Sequence, residues 1–388
     1  MSPRSKREYK EAIHLRYKNA SRREKTVILD EYCATCGCHR KHAIRVLKKF
    51  KRFTKPKAKK RGKPPFHQNE AIFKPLKKIW LKANLPCAKR LKVMLPIWLP
   101  GYAALFGELS PEVTNALLKI SPPTIDRLLK PIRIRYTKRG RSTTKPGALL
   151  RKQAPLPIKT NQWDESRPGF LEADTIAHCG DSTSGMYVNT IDFVDIATGW
   201  TEQRAVRGKG ETGVLEQIEN IEKILPFPLL GFDCDNGGEF LNYHLQRHFT
   251  ERKQPVQFTR SSAYHKDDNA HVEQKNWTHV RQWIGYDRLD NPHVVPLLNN
   301  LYAKEWRLFH NFFRPSVKLI SKERIGSKTI KRHDSPKTPC QRIMESPCIQ
   351  ESVKLSLAKQ LENLNPFLLK EIMDKKLNKI LSINNNSG

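Results

Sequence analysis

The sequence predicts a multidomain chain: an α-helical, strongly basic N-terminal region, then an α/β core with a mixed five-stranded sheet, then a helical C-terminal tail. Three observations carry this. The chain has 388 residues, more than one hydrophobic core usually organises. Its 71 Lys+Arg and 38 Asp+Glu give +33, but residues 1–160 hold 41 basic and 9 acidic residues against 30 and 29 in residues 161–388. Finally, the apolar pattern changes from helical spacing to strand-like runs near residue 163.

The first zone spans 1–53. Ser21-Arg-Arg-Glu24 has the form of a capping box, and Val27, Ile28, Leu29 and Tyr32 follow at spacings that suit a short amphipathic helix. Gly37 lies in the turn after it, where a positive φ is easily adopted. A second helix is expected over 39–50, with Ala43, Ile44, Val46 and Leu47 as its apolar side. Its other positions carry Arg40, Lys41, Arg45, Lys48 and Lys49. Helix, short turn and basic second helix make the helix-turn-helix plan, so these five cations are expected DNA contacts. Cys33, Cys36, Cys38, His39 and His42 all fall within ten positions, too close together for the separated ligand pairs of a zinc site. Turn formation and core packing are the expectation for them. The eight cysteines of the chain do not form a disulfide framework and are expected to be reduced thiols.

Residues 54–67 read as a basic, proline-containing linker suited to phosphate contact. Residues 68–136 hold helical patterns at 71–83, 88–98, 111–119 and, after Ser121, 125–129. They are expected to form a second helical region, either DNA-binding or a purely structural bundle. A second basic linker covers 137–160. No run reaches about 18 apolar residues, which argues against a membrane span. The polar start of the chain does not read as a secretion signal, so a cytoplasmic, nucleoid-associated protein is expected.

The catalytic zone is expected over 161–315. Strand-like runs occur at 170–176, 186–193, 201–206, 229–234 and 256–259, and helical patterns at 213–225, 239–252 and 269–284. Three successive strands followed by strands alternating with helices indicate a mixed sheet with helices on its faces. Residues 316–388 are expected to form a basic loop and then helices at 351–361 and 366–381.

Three carboxylates stand out by their settings. Asp174 lies inside the apolar run Phe170-Leu-Glu-Ala-Asp-Thr-Ile, Asp235 follows another, and Glu273 lies early in a helix. An unpaired charge at an inward strand position is costly, and converging carboxylates repel one another; a divalent cation relieves both. Mg²⁺ (or Mn²⁺) prefers oxygen donors, and two ions can hold a phosphodiester between them.

Three segments then resemble the DDE integrase core of bacterial insertion-sequence transposases. They are Pro168-Gly-Phe-Leu-Glu-Ala-Asp174, Asp233-Cys-Asp-Asn-Gly-Gly-Glu-Phe240 and Asn269-Ala-His-Val-Glu-Gln-Lys-Asn276. The 37 residues between Asp235 and Glu273 are close to that family's spacing, and Val188–Phe193 and Ala197-Thr-Gly-Trp200 resemble its second and third strands. Gly238, Cys234 and Ala263 depart from common residues of the pattern, none of them at an expected ligand.

The resemblance implies a ribonuclease-H-like fold and a catalytic, metal-binding triad of Asp174, Asp235 and Glu273; with two Mg²⁺ or Mn²⁺ per site, it implies 3′-end cleavage followed by strand transfer into target DNA.

 

In plain terms, Asp174, Asp235 and Glu273 are the residues that the resemblance makes both catalytic and metal-binding. It further implies that Lys266 and Lys275, beside the Glu, contact DNA, and that the partners are transposon ends and target DNA, bound by a homodimer or a larger assembly. Three local competitors are weighed from the residues alone. Asp233 lies two positions from Asp235 and shares its strand face; Glu172 likewise shares a face with Asp174 and is read as supporting it; Asp192 is read as a satisfied structural Asp. Two rival functions also stand: a nuclease of the same fold without strand transfer, and a DNA-binding regulator with an inactive core.

Overall fold

The computed structural model describes residues 1–48, 69–136, 166–208, 210–234, 240, 242–260, 270–325 and 328–385. The chain divides into two compact units, 1–64 and 65–388.

The first unit contains three described helices, where the sequence pattern suggests two. α1 (Pro3–Asn19) precedes α2 (Arg22–Cys36) and α3 (Arg40–Lys48). α1 escapes the periodicity argument because it is mostly polar; among its described side chains Ile13 is the only buried apolar one. The capping box of α2 forms as expected, with the Ser21 N–H donating to Glu24 Oε2 at 2.7 Å and the Glu24 N–H to Ser21 Oγ at 3.4 Å. Gly37 ends α2 at φ 62°. The core joins Ile13, Ile28, Leu29, Tyr32, Cys36, Ala43 and Leu47, with Cys33 and Cys38 packed against it. Ile44, expected on the apolar side of α3, is exposed instead.

The second unit starts with α4 (Glu70–Lys82), α5 (Ala88–Phe106), α6 (Pro111–Lys119) and α7 (Pro122–Arg133). The sheet follows: β1 (Phe170–Ala177), β2 (Val188–Asp195), β3 (Thr201–Arg207), β4 (Gly231–Cys234) and β5 (Gln257–Arg260). Its order is β3-β2-β1-β4-β5. β1, β2 and β3 pair antiparallel, whereas β4 and β5 continue from β1 in parallel. Parallel neighbours need crossovers, supplied here by α8 (Glu211–Glu222) before β4 and α9 (Tyr243–Thr250) between β4 and β5.

Strand alternation gives the two faces of the sheet different chemistry. Leu171, Phe193 and Phe232 pack with Ile218 and Ile221 of α8. The opposite face of β1 carries Glu172 and Asp174. It is covered by a continuous helical rod: α10 (Ala270–Lys275), a π-helical turn (Asn276–Arg281) and α11 (Gln282–Ile284). A second rod, α12 (Val294–Leu301), a π-helical turn (Tyr302–Trp306) and α13 (Arg307–Phe313), packs on β3.

Helices α4–α7 share one apolar core with the sheet domain rather than closing a core of their own. Trp98 of α5 is fully buried, donates its indole N–H to the Phe313 carbonyl at 3.2 Å and meets Phe309, Phe313 and Phe367 edge-on.

Beyond α13 the expected basic loop is a β-hairpin, β6 (Leu319–Ile325) and β7 (Lys328–His333). It hides no apolar face, so its sequence lacks the alternation that marks a half-buried strand. α14 (Pro339–Glu345), α15 (Glu351–Glu362) and α16 (Pro366–Asn385) complete the chain, and α16 packs on α12 and α5. Among the described residues, no helix is long and apolar enough to cross a membrane.

Candidate active site

The site begins with the start of β1. Gly169 adopts φ 122°, and a Cβ there would lie 2.5 Å from the Pro228 carbonyl oxygen, so only glycine fits without a shift. Its N–H donates to Asp195 Oδ1 at 2.8 Å, and Asp195 Oδ2 accepts from the Thr198 N–H and hydroxyl at 2.7 and 2.6 Å. This buried carboxylate ties the entry of β1 to the β2–β3 turn. Burial pushes it up to about 6, while the three hydrogen bonds favour its charged form.

Asp174 lies farther along β1, opposite Asp192 of β2. Its Oδ1 accepts from the Thr175 N–H at 2.7 Å and its Oδ2 from the Asn276 side-chain amide at 2.5 Å. Asn276 opens the π-helical turn, three residues after Glu273 of α10, so the helix expected to supply the Glu is docked against the strand supplying the first Asp. A second tie runs beside it: the Val272 N–H donates to Glu172 Oε2 at 3.2 Å. Glu172 is therefore a brace between β1 and α10, as its shared face with Asp174 suggests. The side chain of Glu273 and all of Asp235 and Lys266 lie outside the described residues. The last residue described before Asp235 is Cys234, which pairs with Ala173, the neighbour of Asp174.

Asp233 is fully buried and accepts from Thr259 Oγ1 at 2.6 Å, a bond that joins β4 to β5. Asp192 differs from the satisfied structural role expected of it. Its Oδ1 accepts from Gln203 Nε2 at 2.7 Å, but Oδ2 has no hydrogen-bond partner among the described residues. Burial pushes this carboxyl up to about 8; the Gln203 bond and Lys275 act against that, and the Asp174 charge adds to it.

Lys275 also departs from expectation. As a DNA contact it should reach solvent, yet it is 5% exposed, and its ammonium donates to the Gly199 carbonyl at 3.4 Å. The π-helical turn starting at the next residue belongs to a rod whose buried side takes Lys275 into the core. Burial pulls its pKa down to about 7; Asp192 opposes this, while Arg90, Arg314 and Arg342 reinforce it. Sequence reasoning missed Asn276, although its i+3 spacing from Glu273 was a usable signal.

In the first unit, Lys41, Arg45 and Lys48 are exposed on α3, and Arg40 pairs with Asp30 of α2. Lys49 lies outside the described residues. The oxygen donors around Asp174 suit a hard divalent cation, although no group of three ligating side chains converges among the described residues.

No family model matches the chain. It is 38% identical over 352 residues to the "uncharacterized protein y4rM" of Sinorhizobium fredii (strain NBRC 101917 / NGR234), an alignment that covers 88% of this chain and 96% of that protein. The chain belongs to the same protein family as y4rM.

Proposed function

We propose that this protein is a DDE-type transposase of a bacterial insertion sequence, with a ribonuclease-H-like integrase core and an N-terminal helix-turn-helix that binds the transposon ends. The observation that carries the reading is the Asn276–Asp174 hydrogen bond, which docks the helix of Glu273 onto the central strand of Asp174. The sheet order, with three antiparallel strands followed by two parallel ones, supports the same reading. Asp174, Asp235 and Glu273 would hold Mg²⁺ or Mn²⁺, which supplies charge neutralisation and polarises the phosphodiester. Asn276 orients Asp174, and Glu172 braces the start of α10. The exposed cations of α3 meet DNA phosphates and base edges.

The test is strand joining. Full-length protein is given labelled DNA with pre-cleaved 3′-OH ends, target DNA and Mg²⁺ or Mn²⁺. Joined products that disappear in Asp174→Asn are expected. Ends that are hydrolysed but never joined would refute strand transfer, and equal activity in Asp174→Asn would refute the site.

A further inference from the structure

We propose that the cavity between the α4–α5 loop, the π-helical turn at Asn276–Arg281 and the β6–β7 hairpin seats backbone phosphates of a DNA strand. The cavity has a volume of about 500 Å³ and is lined by Lys89, Arg90, Arg314, Lys331, His333 and Asp334. Its one acid is already engaged: Asp334 pairs with Arg342 at 2.6 Å and accepts from the Lys318 N–H at 2.7 Å. Lys89, Arg90, Arg314 and Lys331 make no ion pair among the described residues, so the lining carries uncompensated positive charge.

Arg314 is the built part of the seat. It is 9% exposed, held by donation to the Ala83 carbonyl at 2.9 Å, with its guanidinium carbon 5.5 Å from the Trp283 ring centre. Burial, with repulsion from Arg90, depresses its pKa to about 9. An anion in the cavity would relieve both effects. A buried amide donor, Asn84 Nδ2, also lacks a partner among the described residues. Asn84 and Leu85 take φ 59° and 58°, a conformation that costs energy outside glycine.

The position selects the ligand. Thr278 and Gln282 line the cavity from the same rod whose Asn276 holds Asp174. A strand seated there would lie against the rod that docks on Asp174. The identity of the anion as DNA rests on the transposase reading; the anion seat itself does not.

Cys87 offers a local reporter, because it is exposed and lines the cavity, while Cys348 is an exposed thiol elsewhere. Full-length protein is incubated with duplex DNA whose backbone phosphates carry tethers ending in an activated mixed disulfide, so that a cysteine thiolate displaces the aryl thiol leaving group, and the disulfide adducts are mapped by mass spectrometry. Trapping is expected at Cys87 in excess over Cys348, and plain duplex should suppress it. In an Arg90→Ala, Lys331→Ala double variant, the slope of log affinity against log salt should fall by about 0.9 per cation removed. Equal trapping at both cysteines, or an unchanged slope, overturns the proposal. So does trapping that inorganic pyrophosphate blocks and plain duplex does not, which would mark a free-anion site. Failure of strand joining leaves Cys87 trapping intact, and failure of trapping leaves the Asp174 dependence intact, so the two readings fail separately.

Discussion

Removing the Asn276 amide isolates what that side chain does for Asp174. In Asn276→Ala, Asp174 Oδ2 loses the donor that now lies 2.5 Å away. A hydrogen bond to a charged group is worth about 1.5–3 kcal/mol, and loss of a partner that orients a metal ligand typically costs about 10–100-fold in affinity or activity. The fold should lose much less. Asn276 Oδ1 has no partner among the described residues, so truncation also removes a buried acceptor that is unsatisfied. Asn276→Asp should be worse than alanine, because it sets a second carboxylate against Asp174. The assay is strand joining as a function of Mn²⁺ concentration, beside a thermal melt. The metal needed for half-maximal joining should rise about tenfold or more in Asn276→Ala, with little change in melting temperature. An unchanged metal requirement with a lowered melting temperature would refute the argument, and would make Asn276 a packing residue.

Trp98→Ala should destabilise the second unit by about 3–5 kcal/mol in denaturant titration, since it opens a cavity among three phenylalanines; a sheet domain that unfolds as in the wild type would show that the α4–α7 layer is energetically separate. Stability should also fall in mild acid. Burial lowers His178 to about 3 and holds His279 and His310 well below the ordinary imidazole value. Unfolded imidazoles titrate near 6.5, so below that pH the unfolded chain binds protons that the fold refuses. His178 then removes about 2 kcal/mol by about pH 5, and His279 and His310 act in the same direction. A melting temperature that stays level from about pH 7 to about pH 5 would contradict this sign. Alanine at Lys41, Arg45 and Lys48 together should weaken DNA binding and lower its salt slope by about 0.9 per cation, read by fluorescence anisotropy; an unchanged slope would remove α3 from the interface.

Much of the core was legible because its signals are local. An Asp inside an apolar strand, a capping box at Ser21 and a glycine at the α2 turn each state their physics within a few residues. Five strands were visible as apolar runs for the same reason. What was hidden depends on contacts distant in sequence. Asn276 meets Asp174 across 102 positions, and Trp98 reaches Phe313 across 215. Nothing near Lys275 announces that its charge is buried, since a lysine in a helix usually reaches solvent. The unpartnered oxygen of Asp192 likewise follows only from the register of β1, β2 and β3. The hairpin was hidden for the opposite reason: with no buried face, its strands carry no apolar code.

That hairpin should also set a gradient of opening. A two-stranded ribbon with no core of its own is marginally stable, and every residue of β6 is exposed. Its base is clamped: Ser316 and Lys337 exchange backbone hydrogen bonds of 2.9 and 3.1 Å, and Asp334 pairs with Arg342. Amide hydrogens between Ser321 and Ile325 should therefore exchange with solvent quickly, those at Ser316 and Lys337 more slowly, and those of β2 only on global unfolding. Opening of the outer ribbon should thus leave undisturbed the strands that carry the carboxylates.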